Sequence, residues 1–138
     1  MKKITLFLII AGITAAFFSC SKEKESERFT LLTAHIWTSD SLLVNGVDAG
    51  GPGGMLEKFK GDAKFEKDGT GYFGKYKGTW RFAYGEENLV IESDSLQVPL
   101  TAKIVLLTTT DLKITTVYPN LANPQNPFNI RMTFKPKQ

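Results

Sequence analysis

Two side chains of this 138-residue chain could do chemistry near neutral pH: its single cysteine, Cys20, and its single histidine, His35. A lone thiol cannot form an intramolecular disulfide, and one His with one Cys cannot complete a structural zinc site. No serine stands in a recognisable nucleophile turn that His35 could serve. Separate carboxylates could still meet in the folded chain, but loop carboxylates are usually solvated. We therefore expect a protein that is not an enzyme and that has no metal and no cofactor.

Cys20 stands directly after an apolar segment at the start of the chain. Met1-Lys2-Lys3 is followed by an uncharged run, Ile4–Phe18, which is shorter than the ~20 residues that a membrane-spanning helix needs. A basic start, a short apolar core and a small residue before a cleavage point are typical of a secretion signal. We predict a signal peptide over residues 1–19 that is removed from the mature protein.

The end of this segment, Phe17-Phe18-Ser19-Cys20, resembles the bacterial lipobox. The resemblance implies that the Cys20 thiol receives a diacylglycerol, that cleavage occurs before Cys20, and that the new amino group is acylated, with chains such as palmitate. Each buried methylene adds about 0.8 kcal/mol of membrane affinity, and more than one chain makes a stable anchor. The protein would be attached to a membrane through Cys20 without spanning it.

A polar, charged segment, Ser21–Arg28, follows Cys20 and has no apolar residue to bury. We predict that residues 20–28 form a lipidated flexible tether and that residues 29–138 form the folded domain. Short acidic segments at this place resemble the surface-export signal of Bacteroidetes lipoproteins. We therefore expect a lipid-anchored protein of the cell envelope, at the outer membrane, on either its periplasmic face or the cell surface.

The charge of the chain argues against a nucleic-acid partner. The formal net charge of +3 includes Lys2 and Lys3, which precede the cleavage site, so the mature chain is close to neutral. No basic stripe with interleaved aromatic residues remains after cleavage. We expect no binding to nucleic acid, and we expect a monomer.

From Phe29 onward, apolar and polar residues alternate with the period of two that is typical of strands with one buried face. Turn residues such as Asn45-Gly46 separate these runs. We predict irregular loops at 49–61, with a short helical turn, and at 119–127. We predict strands near 34–45, 62–67, 70–76, 78–84, 88–94, 96–107, 111–118 and 127–135. Eight strands in a meander predict an all-β fold, a single antiparallel up-and-down barrel that exposes no edge strand; a β-sandwich is the alternative.

Several short motifs occur in the order and spacing of a known family. They are Leu31–Trp37, Phe65–Thr70, Gly78-Thr79-Trp80, Leu89-Val90-Ile91 and Leu106–Ile114. Together they resemble the lipocalin-like lipoproteins that are common in Bacteroidetes. The resemblance implies a small calycin-type barrel, whose larger relatives carry small apolar molecules in the barrel.

Aromatic residues of two neighbouring predicted strands could form one wall of the barrel interior. Alternation places Trp80, Phe82 and Tyr84 on one face of their strand, and Tyr72 and Tyr76 on one face of the preceding strand. Such a wall could bind a lipid, a pigment or a sugar. Alternatively, the same side chains fill the interior, because a small barrel needs inward aromatic residues for packing.

Two serines lie in triplets that resemble the Asp-Ser/Thr-apolar acceptor of Bacteroidetes O-glycosylation. They are Ser41, in Asp40-Ser41-Leu42, and Ser95, in Asp94-Ser95-Leu96. Ordinary strand and turn sequence produces the same triplets, so both interpretations stay open.

The sequence leaves two functional hypotheses. In the first, a membrane-anchored lipocalin-like lipoprotein binds a small hydrophobic ligand in its barrel. In the second, a structural or accessory envelope lipoprotein with a filled barrel binds another envelope protein through the barrel exterior. The predicted outward residues are polar, which weakens a large permanent apolar interface and slightly favours the first hypothesis. Among them are Gln97, Thr101, Lys103, Lys113 and Thr115.

Overall fold

The fold is that of a computed structural model, which describes residues 24–138. The predicted signal peptide, Cys20 and the first part of the predicted tether lie outside the described residues. Over residues 24–138 the elements are α1 (Glu27–Ala34), β1 (Ile36–Val44), β2 (Val47–Asp48), the 3-10 turn η1 (Glu57–Phe59), β3 (Asp62–Phe65), β4 (Thr70–Phe73), β5 (Tyr76–Ala83), β6 (Asn88–Glu92), β7 (Leu100–Leu107), β8 (Leu112–Tyr118) and β9 (Phe128–Pro136).

Antiparallel pairing of sequential neighbours builds the sheet, and pairing of the first strand with the last one closes it. β1 pairs with β3 at its start and with β9 from Trp37↔Pro136 to Val44↔Ile130. The short β2 adds to the end of β1 and takes no part in closure. The predicted all-β, up-and-down, eight-stranded barrel is confirmed, and the β-sandwich alternative is wrong. The architecture is consistent with a calycin-like fold.

The up-and-down order places the connections at two opposite ends of the barrel. The helix end carries α1 and the turns at 66–69, 84–87 and 108–111, whereas the loop end carries the connections at 49–61, 74–75, 93–99 and 119–127. Both predicted irregular loops are observed, and η1 is the short helical turn of the first. The two longest connections are therefore at the same end.

The alternation predicted from the sequence is seen directly in burial. Along β7, Leu100, Ala102 and Ile104 are buried while the residues between them are exposed. Cross-strand register brings buried residues of neighbouring strands together, as at Ile114↔Met132. One continuous cluster fills the barrel, and its largest fully buried side chains are Trp37, Leu32, Leu89, Leu112, Ile114 and Met132.

Residues 27–34 form a helix that the sequence analysis did not predict. The Oγ of Ser26 accepts a hydrogen bond from the backbone N–H of Phe29 at 3.1 Å, and Glu27 in the first turn is favourable to the helix dipole. Phe29 and Leu32 lie three residues apart on one face, and Leu32 is fully buried in the core. The helix includes Glu27 and Arg28, which had been assigned to the tether. Its apolar face is too short to stand out in a polar segment.

Two strand ends differ from the predicted ones by more than two residues. β4 ends at Phe73 and the chain turns, so Tyr76 belongs to β5 rather than to a strand over 70–76. Gly74 in this turn has a φ of 62°, and a Cβ there would lie 2.2 Å from the carbonyl oxygen of Lys58. β7 begins at Leu100 rather than near residue 96. Pro99, which has no N–H to donate to a ladder, directly precedes it.

Leu32→Ala tests the placement of α1. The side chain of Leu32 is 0% exposed, so we expect a loss of about 2–5 kcal/mol in the free energy of unfolding. Urea denaturation of a soluble form that begins at Ser21 measures this loss. Leu121→Ala is the matched control, because Leu121 is 77% exposed, and it should change the stability by no more than about 0.5 kcal/mol. Small and equal effects at both positions would contradict the packing of α1 in the core.

Candidate functional site

Trp80 lies at the centre of an aromatic cluster near the helix end of the barrel. Its ring centroid is 5.8 Å from that of Phe29, 5.6 Å from Phe65 and 5.4 Å from Phe82. Its Nε1–H donates a hydrogen bond of 2.9 Å to the carbonyl oxygen of Glu66. Only 6% of Trp80 is exposed, so its ring is packed against protein atoms and its N–H is satisfied by a backbone carbonyl.

Tyr76 and Phe82 point to the interior with Trp80, because these residues fall on the same face of β5. The ring of Tyr76 lies 4.7 Å from that of Phe59. Burial, and to a smaller extent the nearby Tyr118, raises the pKa of Tyr76 above its ordinary value of 10.0. Three of the five predicted wall residues are therefore part of the packed interior.

Tyr72 and Tyr84 are not part of that wall, which corrects the sequence analysis. Tyr72 stands opposite Lys64 and Lys77 on the outer face of the flanking strands. Tyr84 lies in the turn after β5 with a φ of 53° and is 78% exposed. The prediction continued the alternation of inward and outward residues through two turns, one before Tyr76 and one after Ala83. Alternation does not hold in turns.

Side chains close the barrel at both of its ends. At the helix end α1 contributes Leu32, whose carbonyl oxygen accepts a hydrogen bond of 3.0 Å from Nε1–H of Trp37. At the loop end the 49–61 connection contributes Leu56 and Phe59, which are 2% and 7% exposed and belong to the same core cluster. The interior is therefore filled from both sides by side chains of the protein.

His35 and the acidic residues do not form a common site. His35 packs edge-on against Trp37, with ring centroids 5.5 Å apart. Within residues 24–138, no group of three His, Cys, Asp or Glu side chains is placed to hold a metal ion. In the same part of the chain, no helix has the length and apolar character to cross a membrane.

Asp62 and Asp111 are held in exposed ion pairs with lysines near the end of the chain. Asp62 accepts hydrogen bonds from Lys137 at 2.5 Å and from the hydroxyl of Thr38 at 2.8 Å. Asp111 accepts one from Lys135. These bonds hold the pKa of both carboxyls below the ordinary value of 3.8, and they raise the pKa of both lysines. Both carboxyls therefore stay ionised to a lower pH than an unpaired carboxyl, and each is a weaker base.

The two candidate glycosylation serines differ in accessibility. Ser41 lies in β1, paired with Thr133 beside a β-bulge, and is half-buried. Ser95 is exposed in the 93–99 connection at the loop end, where its backbone N–H meets the Oγ of Ser93 at 3.3 Å. Of the two serines, Ser95 is the one that a modifying enzyme would reach without opening a strand.

A groove with a volume of about 940 Å³ runs across five strands, from Asn88 of β6 over β7, β8 and β9 to β1. We call it the lateral groove; it is lined by Leu43, Asn45, Gly46, Asn88, Thr101, Lys103, Thr115, Thr116, Val117, Asn129, Ile130 and Arg131. Register places Lys103, Thr115 and Arg131 in one row across three strands. Neighbouring strands lie about 4.7–4.9 Å apart, so the two cationic residues are separated by roughly 10 Å.

The hydrogen-bonded ladder between β7 and β8 ends inside the lateral groove. Pairing runs from Leu107↔Leu112 to Lys103↔Thr115 and extends no further. Beyond that point the start of β7 pairs with β6, and the end of β8 pairs with β9. The hydroxyl of Thr116 donates a hydrogen bond of 2.5 Å to the carbonyl oxygen of Thr101 across the gap. The barrel wall is thus held there by a side chain.

Part of this groove consists of residues that the alternation in the sequence predicts to point outward. Thr101, Lys103 and Thr115 were predicted to point outward, and they do. Arg131 is an outward residue of β9 and had no separate signal in the sequence. Comparison with known proteins does not add a site, since no protein-family model and no curated protein matches the chain.

Trp80→Ala and Tyr84→Ala test which of the five predicted wall residues are packed in the interior and which are exposed. Loss of the packed Trp80 ring should lower the free energy of unfolding by about 3–5 kcal/mol. Loss of the exposed Tyr84 ring should change it by no more than about 0.5 kcal/mol. Chemical denaturation followed by circular dichroism measures both. A destabilisation of several kcal/mol at Tyr84 would mean that this side chain is packed after all.

The ion pairs of Asp62 and Asp111 should make the protein less stable in acid. A carboxyl whose pKa is lowered by folding contributes stability that is complete above its ordinary pKa and is lost as the pH falls through its folded value. Asp62→Asn/Asp111→Asn should therefore flatten the decline of Tm between about pH 5 and pH 2. The effect should be small because both pairs are exposed. An identical decline of Tm in the variant and the parent protein would show that other groups cause the loss of stability in acid.

Proposed function

We propose that this protein is a lipid-anchored lipoprotein of the bacterial envelope, similar to the lipocalin-like lipoproteins of Bacteroidetes. In this proposal the acyl chains on Cys20 hold it to the outer membrane. Its filled calycin-like barrel then serves as an accessory module that binds another envelope component through its exterior. The observation that carries the proposal is the closure of both barrel ends by core side chains.

Carriage of a small hydrophobic ligand in the barrel is less well supported. Ligand sites of this kind are cavities of about 300–1,000 Å³ lined largely by apolar groups. Here Trp80 and Tyr76 are packed against other rings, and Leu56 and Phe59 cover the loop end. A ligand could enter only by displacing these side chains, and the free energy of core packing opposes that displacement.

The anchor would determine which end of the barrel lies near the membrane and which end faces away from it. α1 begins at Glu27, seven residues after Cys20, and even a fully extended connection of this length reaches no more than about 25 Å. Arg28 donates a hydrogen bond of 2.9 Å to the carbonyl oxygen of Glu86, which ties α1 to a turn at the helix end. The helix end would therefore lie near the membrane, and the loop end would face away from it.

Cys20→Ala tests the anchor in a bacterial host grown with an alkyne-tagged palmitate analogue. We expect the parent protein to carry the tag and to fractionate with membranes, and the variant to lose both properties. Ser21→Ala, one residue away, is the matched control and should behave as the parent does. A tag that persists in Cys20→Ala, or membrane association that does not depend on Cys20, would contradict the anchor.

A further inference from the structure

The lateral groove carries charge of one sign. Lys103 and Arg131 are both exposed, and none of the described lining residues is Asp or Glu. The ion pairs found within residues 24–138 join other lysines, Lys67, Lys135 and Lys137, to carboxylates. Neither cation of the groove takes part in these ion pairs, so both keep their charges available to a ligand.

Amide and hydroxyl groups surround the two cations. Asn88 lies directly opposite Lys103 in the neighbouring strand. At the other side, the Oδ1 of Asn45 accepts a hydrogen bond of 3.0 Å from the backbone N–H of Asn129. This bond fixes the orientation of the Asn45 carboxamide. The backbone of Asn45 is itself held in place, at a φ of 52°, in the tight turn before β2. Its Nδ2 donors are then left for the groove.

The gap between β7 and β8 gives the groove its depth. Thr116 and Ile130 belong to the lining although they lie on the inward face of their strands, so the groove reaches past the outer surface where the ladder has ended. Thr116 closes the gap to the interior through its bond to Thr101. The floor is formed by Thr116 and by Ile130, which also belongs to the core cluster.

We propose that the lateral groove binds an acidic oligosaccharide. Carboxylate or sulfate groups would pair with Lys103 and Arg131, for which the guanidinium offers two parallel N–H donors. Sugar hydroxyls would exchange hydrogen bonds with the asparagine and threonine side chains. The inference deepens the proposed function, on which it rests, by naming the class of molecule that the barrel exterior engages.

Other ligand classes fit the groove less well. The described lining contains no aromatic side chain, so single-stranded nucleic acid would find no platform on which its bases could stack. Leu43 lies opposite Arg131 and Val117 lies opposite Asn129, so an acyl chain or a hydrophobic peptide bound to the apolar side chains of the groove would also desolvate charged and amide groups. Two cationic residues on strands that lie roughly 10 Å apart instead favour a ligand with repeated negative charges.

Isothermal titration calorimetry of the full chain in a polyoxyethylene detergent tests the proposal. The probes are hexagalacturonate, which carries carboxylates, a sulfated hexasaccharide, and the neutral maltohexaose. The groove variant is Lys103→Gln/Arg131→Gln. The matched control is Lys77→Gln/Arg81→Gln, which removes the same charges from the outer face of β5. Asn88→Asp is a third variant that places a carboxylate beside Lys103 while leaving both cations intact.

We expect at least one acidic hexasaccharide to bind and maltohexaose not to bind. The groove variant should weaken the affinity by roughly tenfold or more, Asn88→Asp should weaken it too, and the control should retain it. Absence of binding by both acidic probes, or equal weakening by the groove and control variants, would overturn the proposal. Thermal unfolding of each variant shows whether it is folded. Tagging at Cys20 reports the anchor separately, so failure of sugar binding with intact tagging defeats this inference alone.

Discussion

Two buried indole groups fix the way in which the barrel is closed at its helix end. Trp37 donates to the carbonyl oxygen of Leu32 in α1, and Trp80 donates to that of Glu66 in the turn between β3 and β4. A buried N–H without a partner costs about 1–3 kcal/mol, so each ring holds in place the segment that covers it. Within residues 24–138 no buried side-chain nitrogen or oxygen lacks a partner. Because the interior is closed in this way, the proposed function assigns recognition to the barrel exterior.

The strands could be predicted because their signal is local. A period of two along β7 and β9 requires only that one face is buried, and the turn Asn45-Gly46 has the residues that a type I′ hairpin requires. α1 lacks such a signal, since a helix of eight residues that buries Phe29 and Leu32 leaves only a short pattern among charged neighbours. The placement of Tyr84 failed for a related reason: alternation stops where the backbone adopts a positive φ.

The lateral groove could not be predicted because it depends on register. Lys103, Thr115 and Arg131 are far apart in the sequence, and each alone is an ordinary outward residue of a strand. Their alignment depends on the β-bulge between Ile104 and Leu106, and a second β-bulge between Ser39 and Ser41 determines that Leu43 lies opposite Arg131. A bulge shifts every later pair by one residue, and neither bulge has a glycine or another local mark in the sequence. The site therefore emerges only once the strands are paired.

The central claim is that the barrel is filled and works through its exterior. Native mass spectrometry of a soluble form that begins at Ser21, purified from a bacterial host without detergent, tests this most directly. The filled barrel predicts the mass of the polypeptide alone. A co-purifying apolar molecule that is retained by the Lys103→Gln/Arg131→Gln variant and lost from a folded Trp80→Ala variant would contradict the claim, because it would place a ligand among the core side chains.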